Sequence, residues 1–302
     1  MRVDFVKAVS EALSTDSRGV FLTGDLGFNA LEGLQASLSN RFINVGVAEQ
    51  NMVGLSAGLA LAGYRPWVYS IAPFATYRCL EQIRNDVCLH NLPVRIVGNG
   101  GGYTYGIMGS THHALEDIAV LKALPNMQLY LPCANDHVAA AVKQIHDLQT
   151  PSYLRLAISG FGTPYAPLTE NPHTLTRQYA RGDRWTLIGV GHGVQVLLSA
   201  LAKHGLSEQN VAVFGIARFP FDLASDHELV QSVERTRRVL VVEEHYQAGS
   251  LAESLSLALP RVARFETFCA SYSLDQRYGG ATFHLRQCGL TPERVVSCVS
   301  GD

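Results

Sequence analysis

The sequence predicts an α/β protein of two doubly wound, mainly parallel-sheet domains, and three observations carry that expectation. Apolar runs of strand length alternate with segments of helical period along most of the chain, as βα units do around a parallel sheet. The alternation breaks at a Gly-, Pro- and Thr-rich stretch, Ser159 to His173, which reads as a linker. A length of 302 residues, 47% of them hydrophobic, suits two cores at the usual ~150 residues per domain. The domains are therefore expected over 1–160 and 179–302, with a linker over 161–178.

In the first domain the strands are expected at GVFLTG (19–24), RFINVGV (41–47), RPWVYSI (65–71), PVRIVGN (93–99), MQLYLP (127–132) and PSYLRL (151–156). Each is a short run rich in β-branched, aromatic or aliphatic residues and bounded by Gly, Pro, Asn or Asp. Helical periodicity covers Phe5 to Ser14, Gln50 to Gly63, Ala75 to His90 and Asp136 to Gln149. In the second domain WTLIGVG, NVAVFGI, RRVLVVEEH and RVARFETF read as strands, with helices over Val194 to His204, Asp226 to Arg235 and Ser250 to Ala258.

Charge and cysteine use narrow the function classes. The net charge of −2 arises from interspersed signs, without the basic stripe that nucleic acid or an acidic membrane surface would require. Small molecules are the expected partners. MRVDFVKAVSEALSTD lacks an apolar signal core, and no stretch approaches 18 apolar residues, so the chain reads as cytoplasmic. The six cysteines stand at irregular spacing without a CxxC pair, which fits reduced thiols better than disulfides or a zinc site.

One acid stands out. In FINVGVAEQNM an apolar strand delivers the chain to Glu49, at the start of the small-residue helix MVGLSAGLALAG. A first-turn Glu commonly does no more than complement the helix dipole, a contribution of about 0.3–1 kcal/mol. Here the strand before it is apolar and the helix after it is built of Gly, Ala and Ser, which permits close packing. A carboxyl in such a place is poorly solvated and suited to sharing a proton.

With its surroundings this segment resembles the transketolase family of thiamine-diphosphate enzymes. VGVAEQNM, followed by GLSAGLALAGYRPWVYS, is similar to that family's pyrimidine-binding domain. The similarity continues in order through IAPFATYRCLEQIRNDV, GSTHHALEDIAVLKALPNM, LPCANDH and PSYLRL, and FPFD and VVEEH resemble the family's C-terminal domain. The resemblance implies that Glu49 contacts the cofactor's aminopyrimidine. Thiamine diphosphate reacts after its thiazolium C2 loses a proton to the cofactor's own 4′-imino nitrogen, and a carboxyl bonded to N1′ favours that imino form.

It implies further site residues. An aromatic wall for the aminopyrimidine is expected from Ile71, Phe74 and Tyr77, with Phe74 as the stacking ring, although three-residue spacing of this kind also marks the core face of a helix. Asp25, in TGDLG, matches an acid near the thiazolium side, and as a plain loop residue it would cap a turn. His112 is expected over the reactive carbon, bonding substrate hydroxyls or a carbonyl oxygen, with His113 beside it. His245 and the other histidines are assigned no role.

Departures from the family pattern shape the functional expectation. Family enzymes hold the diphosphate through Mg²⁺ on a GDG motif followed by an Asn; this chain has GDL (24–26) and GDR (182–184) but no GDG. The chain therefore resembles the C-terminal subunit of a split transketolase, needing an N-terminal partner that carries the diphosphate and magnesium site, in an α₂β₂ assembly; a fragment excised from a longer enzyme would look similar. Met108 stands where the family has a sugar-binding Asp, Gly100 where it has a phosphate-binding His, and Ile158 where it has a phosphate-clamping Arg. Arg2 retains one phosphate contact. The expected reaction is transfer of a two-carbon ketol unit to an unphosphorylated or carrier-bound acceptor. A β-type subunit of a 2-oxo-acid decarboxylating complex and a non-catalytic partner subunit are the alternatives.

Overall fold

The computed structural model describes residues 1–157, 165–272 and 277–300, in two units, residues 106–109 and 131–134 clustering with the second. The first unit runs α1 (Arg2–Thr15), β1 (Gly19–Thr23), α2 (Glu32–Leu38), β2 (Phe42–Asn44), α3 (Glu49–Leu61), β3 (Arg65–Ile71), α4 (Ala72–Thr76), α5 (Leu80–Gln82), β4 (Arg95–Asn99), α6 (Asp117–Lys122), β5 (Gln128–Tyr130), α7 (His137–Asp147) and β6 (Ser152–Leu156). Its strands lie in the order β5-β6-β4-β3-β1-β2, every neighbouring pair parallel. β1, β4 and β6 are buried along their whole length, which is why they read as unbroken apolar runs instead of alternating ones.

This winding positions the site. The chain steps from β1 to β2 on one side, then returns through α3 to β3 on the other, and ligands of open α/β sheets bind beyond the carboxyl ends of strands at such a reversal. The segments leaving β2, β3 and β4 at that end carry Glu49, Phe74 and His112 respectively.

The helix expected over residues 75–90 is broken into pieces. It begins at Ala72 with Pro73 in the first turn, a favoured place for proline. It tightens to a 3₁₀ turn at Tyr77–Cys79 and widens to a π-helix at Ile83–Cys88. Cys79, Ile83, Val87 and Cys88 are all buried along it, so the apolar period holds although the pitch changes. The short helices α2 and α6 carry too few apolar turns to register as periodic segments.

The second unit runs β7 (Thr169–Asn171), β8 (Thr176–Arg181), β9 (Trp185–Val190), α8 (Val194–Lys203), β10 (Val211–Ile216), β11 (Arg218–Phe219), α9 (His227–Thr236), β12 (Arg238–Tyr246), α10 (Leu251–Ala258), β13 (Arg264–Ala270), α11 (Ala281–Gln287) and α12 (Pro292–Ser300). Its sheet has the order β13-β12-β9-β10-β8-β7, parallel except where β8 pairs with β10 and β7. The linker expected over 161–178 is corrected here, because β7 and the start of β8 fall within it. These strands are polar: Arg177 pairs with Glu170 at 2.7 Å, and Thr176 donates to the buried carboxylate of Asp226 at 2.8 Å. Hydropathy cannot find a strand whose buried contacts are hydrogen bonds. Buried Glu243 accepts from the amides of Leu251 and Ala252, the N-cap Ser250 hydroxyl accepts from the Glu253 amide, and the Glu253 carboxylate accepts from the Gly249 amide, so Glu243 and the glycine after EEH secure α10.

Arg95 shows how the first unit closes. Buried on β4, it donates to the carbonyls of Pro93, Ile145, His146 and Leu148 at 2.7–3.1 Å, sealing the carboxyl end of α7. Burial draws its guanidinium down to about 10, still charged at neutral pH. Arg95→Met is expected to leave buried carbonyls without donors and to cost about 3 kcal/mol, read as a lower urea midpoint with unchanged m-value.

Candidate active site

Glu49 opens α3 after a turn in which Gly46 adopts φ +74. Its side chain is 2% exposed. The Ser70 hydroxyl, near the end of β3, donates to Oε1 at 3.4 Å, and Arg78 Nη1 donates to Oε2 at 2.8 Å. The second contact is a charge-assisted hydrogen bond, the strong kind. Burial, reinforced by the Glu49 charge, pushes the neighbouring Cys79 thiol up to about 12, so that thiol is inert at neutral pH.

An aromatic cluster adjoins the acid. The Arg78 guanidinium lies over the Phe74 ring, its Cζ 4.2 Å from the centroid, in cation–π contact. His112 meets the same ring edge-on, with centroids 5.1 Å apart. The Tyr105 ring lies 6.1 Å from His112, and Thr111 Oγ1 is 3.0 Å from His112 Nδ1. Tyr105 is held by Asn99 Nδ2 at 2.9 Å. Burial raises its phenol above the ordinary value, while the Asn99 hydrogen bond and the Arg2 charge oppose the rise.

Gly100, where a phosphate-binding His was expected to be missing, has φ +84, and a side chain there would strike the Tyr105 ring. The aromatic ring thus lies against the backbone at that position. Arg2 is half-buried on α1, with its charge felt at Tyr105.

The loop that bears His112 is tied at several points. Gly102 and Ala114 exchange backbone hydrogen bonds of 2.9 and 3.0 Å. Arg155 donates to the Ala114 carbonyl at 2.6 Å and to Asp117 at 2.9 Å, and Tyr153 donates to Asp117 at 2.7 Å. Tyr77 donates to Glu116 Oε2 at 2.9 Å and accepts from the Glu116 amide at 3.0 Å. Its hydroxyl is a strut between the segment after β3 and this loop.

The other expected residues are placed more loosely. Asp25 is exposed at φ 54 and latched to Asn44, whose Oδ1 accepts from its amide at 2.9 Å. Ile71 is the half-buried last residue of β3. His113 packs edge-on against Tyr103. Met108 is exposed, in the turn Gly106–Met108 that clusters with the second unit. Ile158 lies outside the described residues. Glu49, Phe74 and His112 are therefore brought together in one cluster, while Asp25 and Tyr77 make contacts that need no ligand. The set offers a buried acid, an aromatic face and an imidazole, which suits a planar heterocycle with a hydrogen-bond donor on its edge.

The family model described as "Transketolase, pyrimidine binding domain" matches residues 1–159. The chain belongs to the transketolase family. A second model, "Transketolase, C-terminal domain", matches residues 174–273. The chain is 32% identical over 248 residues to a subunit of the apulose-4-phosphate transketolase of Phocaeicola vulgatus, covering 80% of this chain and 74% of that one. It is 29% identical over 266 residues to a 6-deoxy-6-sulfo-D-fructose transketolase subunit of a Clostridium species, covering 86% and 80%. Its structure matches one described as "Split gene transketolase, inactive beta4 tetramer" with a TM-score of 0.82 at 27% identity, covering 99% of this chain and 97% of that one.

Three members of this transketolase-family cluster are not evident in the sequence. Arg78, Ser70 and Tyr105 stand 29, 21 and 56 residues from Glu49 in the chain and meet the site only through the sheet. Arg78 had one available signal, a lone cation in the aromatic segment FATYR. Asp117→Asn is expected to take from the buried Arg155 the carboxylate that Nε meets at 2.9 Å, at about 3–5 kcal/mol. Hydrogen-exchange mass spectrometry should then show faster exchange across residues 110–116, because the loop loses its anchor.

Proposed function

We propose that this chain is the pyrimidine-domain subunit of a thiamine-diphosphate-dependent transketolase-like transferase that moves a two-carbon ketol unit. The observation that carries the proposal is the buried Glu49 carboxylate beside the Phe74 ring. A carboxyl that shares a proton with N1′ donates to that ring nitrogen when protonated and accepts from it when the ring carries the proton, so it fits the N1′ edge of an aminopyrimidine, and Phe74 offers the face on which that ring would rest. Ile71, at the mouth of β3, would border it. The bound cofactor supplies a nucleophilic carbon and an electron sink. Glu49 would hold and share the proton at N1′, and His112, half-buried, would bond the substrate's oxygens. Asp25 is assigned to the thiazolium side and Tyr77 to support of the wall.

Magnesium and the diphosphate belong, on this reading, to an N-terminal subunit carrying the GDG…Asn motif, since this chain has no GDG. An α₂β₂ assembly would then complete the site. The split-gene neighbour is described as an inactive tetramer of β chains alone, which supports the same division of labour. The chain alone is expected to bind thiamine diphosphate weakly and without turnover, and calorimetry finding tight, magnesium-dependent binding by the lone chain would oppose the proposal.

The substrate reading follows from the pocket's charges. Two relatives are named for a sugar phosphate and a sulfo-sugar, and Arg2, whose charge reaches Tyr105, is the group here for an anionic ketose donor. Gly100, Met108 and Ile158 lack the phosphate and hydroxyl partners of a phosphorylated aldose acceptor. Each lost charge-assisted bond weakens recognition by about 1.5–3 kcal/mol. An unphosphorylated or carrier-bound acceptor fits better, with His113 as a secondary contact.

Two experiments test these assignments. Glu49→Gln keeps size and a hydrogen bond but removes the shareable proton, so C2 hydrogen–deuterium exchange of the bound cofactor should slow by about 10²–10⁴-fold with circular dichroism unchanged. Exchange at the wild-type rate would make the acid structural. The reconstituted complex should also prefer unphosphorylated acceptors, and kcat/KM for ribose 5-phosphate at or above ~10⁴ M⁻¹s⁻¹ would refute the acceptor assignment.

A further inference from the structure

The acid assigned to the cofactor already has a partner of a particular shape. Arg78 donates from Nη1 to Glu49 Oε2 at 2.8 Å, and its Cζ lies 4.2 Å from the centre of the Phe74 ring. A guanidinium is a flat N–C–N unit that bonds carboxylates along its edge and stacks on aromatic faces. An aminopyrimidine whose N1′ carries the shared proton is also flat, also presents an N–H on its edge, and would make the same two contacts here. We propose that Arg78 is a stand-in for the aminopyrimidine: it holds the Glu49 carboxylate and the Phe74 ring while no cofactor is bound and withdraws when the cofactor enters. The proposal rests on the reading of Glu49 and Phe74 as the cofactor's contacts.

Two physical considerations support an exchange over a permanent pair. A buried carboxylate with no counter-charge is costly, so a site that must exist both with and without its cofactor needs a replaceable partner. The two side chains are also buried very unequally: Glu49 is 2% exposed and Arg78 44%. The guanidinium can therefore move into water without crossing the core, whereas the carboxylate stays. Ser70, on the other oxygen at 3.4 Å, makes too long a contact to replace the arginine. Arg78 thus acts through Glu49 and Phe74 as a positioning residue that keeps the acid aligned and accessible to a flat ligand.

The stand-in has a cost in apparent affinity, since the observed Kd is the intrinsic Kd divided by the fraction of sites from which Arg78 has withdrawn. It also has a kinetic signature. If the cofactor waits for Arg78 to leave, the observed association rate levels off at high cofactor concentration, whereas a site without the arginine stays linear.

The test uses this chain in complex with its GDG-bearing partner, magnesium and thiamine diphosphate, with binding measured by calorimetry and association by stopped-flow fluorescence. Arg78→Met, which keeps the aliphatic stem and removes both contacts, is expected to bind about tenfold tighter, equivalent to about 1.4 kcal/mol. It should also lose the rate plateau. Arg78→Lys, which keeps the charge without the plane, should fall between the two and carries the test if the Met variant folds poorly. Weaker binding by both variants would make Arg78 a cofactor ligand, and unchanged affinity with the plateau retained would make the pair incidental; either result overturns the stand-in. Binding by wild type together with equal binding by Glu49→Gln would remove Glu49 from the cofactor site, and the stand-in would fall with that assignment. No binding by any form would overturn the functional reading and the stand-in with it.

Discussion

A carboxylate kept away from water has to be matched by charge or by hydrogen bonds, and the first unit is organised around meeting that demand for Glu49. The acid heads a helix whose Met52, Val53, Ser56 and Ala57 are buried with it, while Ser70 and Arg78 reach it from the neighbouring strand and the segment beyond. On the function proposed above, the exclusion that makes the acid costly also makes it useful, because a proton shared inside a low-dielectric site is not lost to bulk water. Burial, aromatic wall and counter-charge are therefore three parts of one arrangement.

The framework that holds the arrangement uses buried cations repeatedly. Arg95 seals the end of α7 through three carbonyls and holds that of Pro93 as well, and Arg155 ties the His112 loop to Asp117 through its bonds to Asp117 and Ala114. A guanidinium suits both tasks because its donors spread over a fixed fork and satisfy several acceptors at once. Arg78 differs from these two in being partly in water. Arg95 and Arg155 are 1% and 8% exposed, positions in keeping with fixed struts, whereas the exposure of Arg78 leaves it a path outward.

The division between legible and illegible features follows from how each is stabilised. The central strands were legible because burial on both faces makes them continuous apolar runs, and α3 because its small residues follow an apolar strand. The polar strands β7 and β8, and the change of pitch between Thr76 and Cys88, were not. Their stability lies in the Arg177–Glu170 pair, the Thr176–Asp226 bond and a packed face, none of which alters local hydropathy.

Within the site, Glu49, Phe74 and His112 could be picked out from the chain alone, because each sits in a short motif whose neighbours are set by the strand ending before it. The same local reading finds no charged or strongly hydrogen-bonding side chain at Gly100 or Met108. Folding had to be known before Arg78 could be seen to cover the acid, the Tyr105 ring to lie against Gly100, and the Tyr77 hydroxyl to serve as a strut to Glu116. The first and last of those contacts join residues 29 and 39 positions apart in the chain, across segments that meet only once parallel strands have brought their carboxyl ends side by side. Side-chain distance is a property of the folded sheet, and no local pattern encodes it.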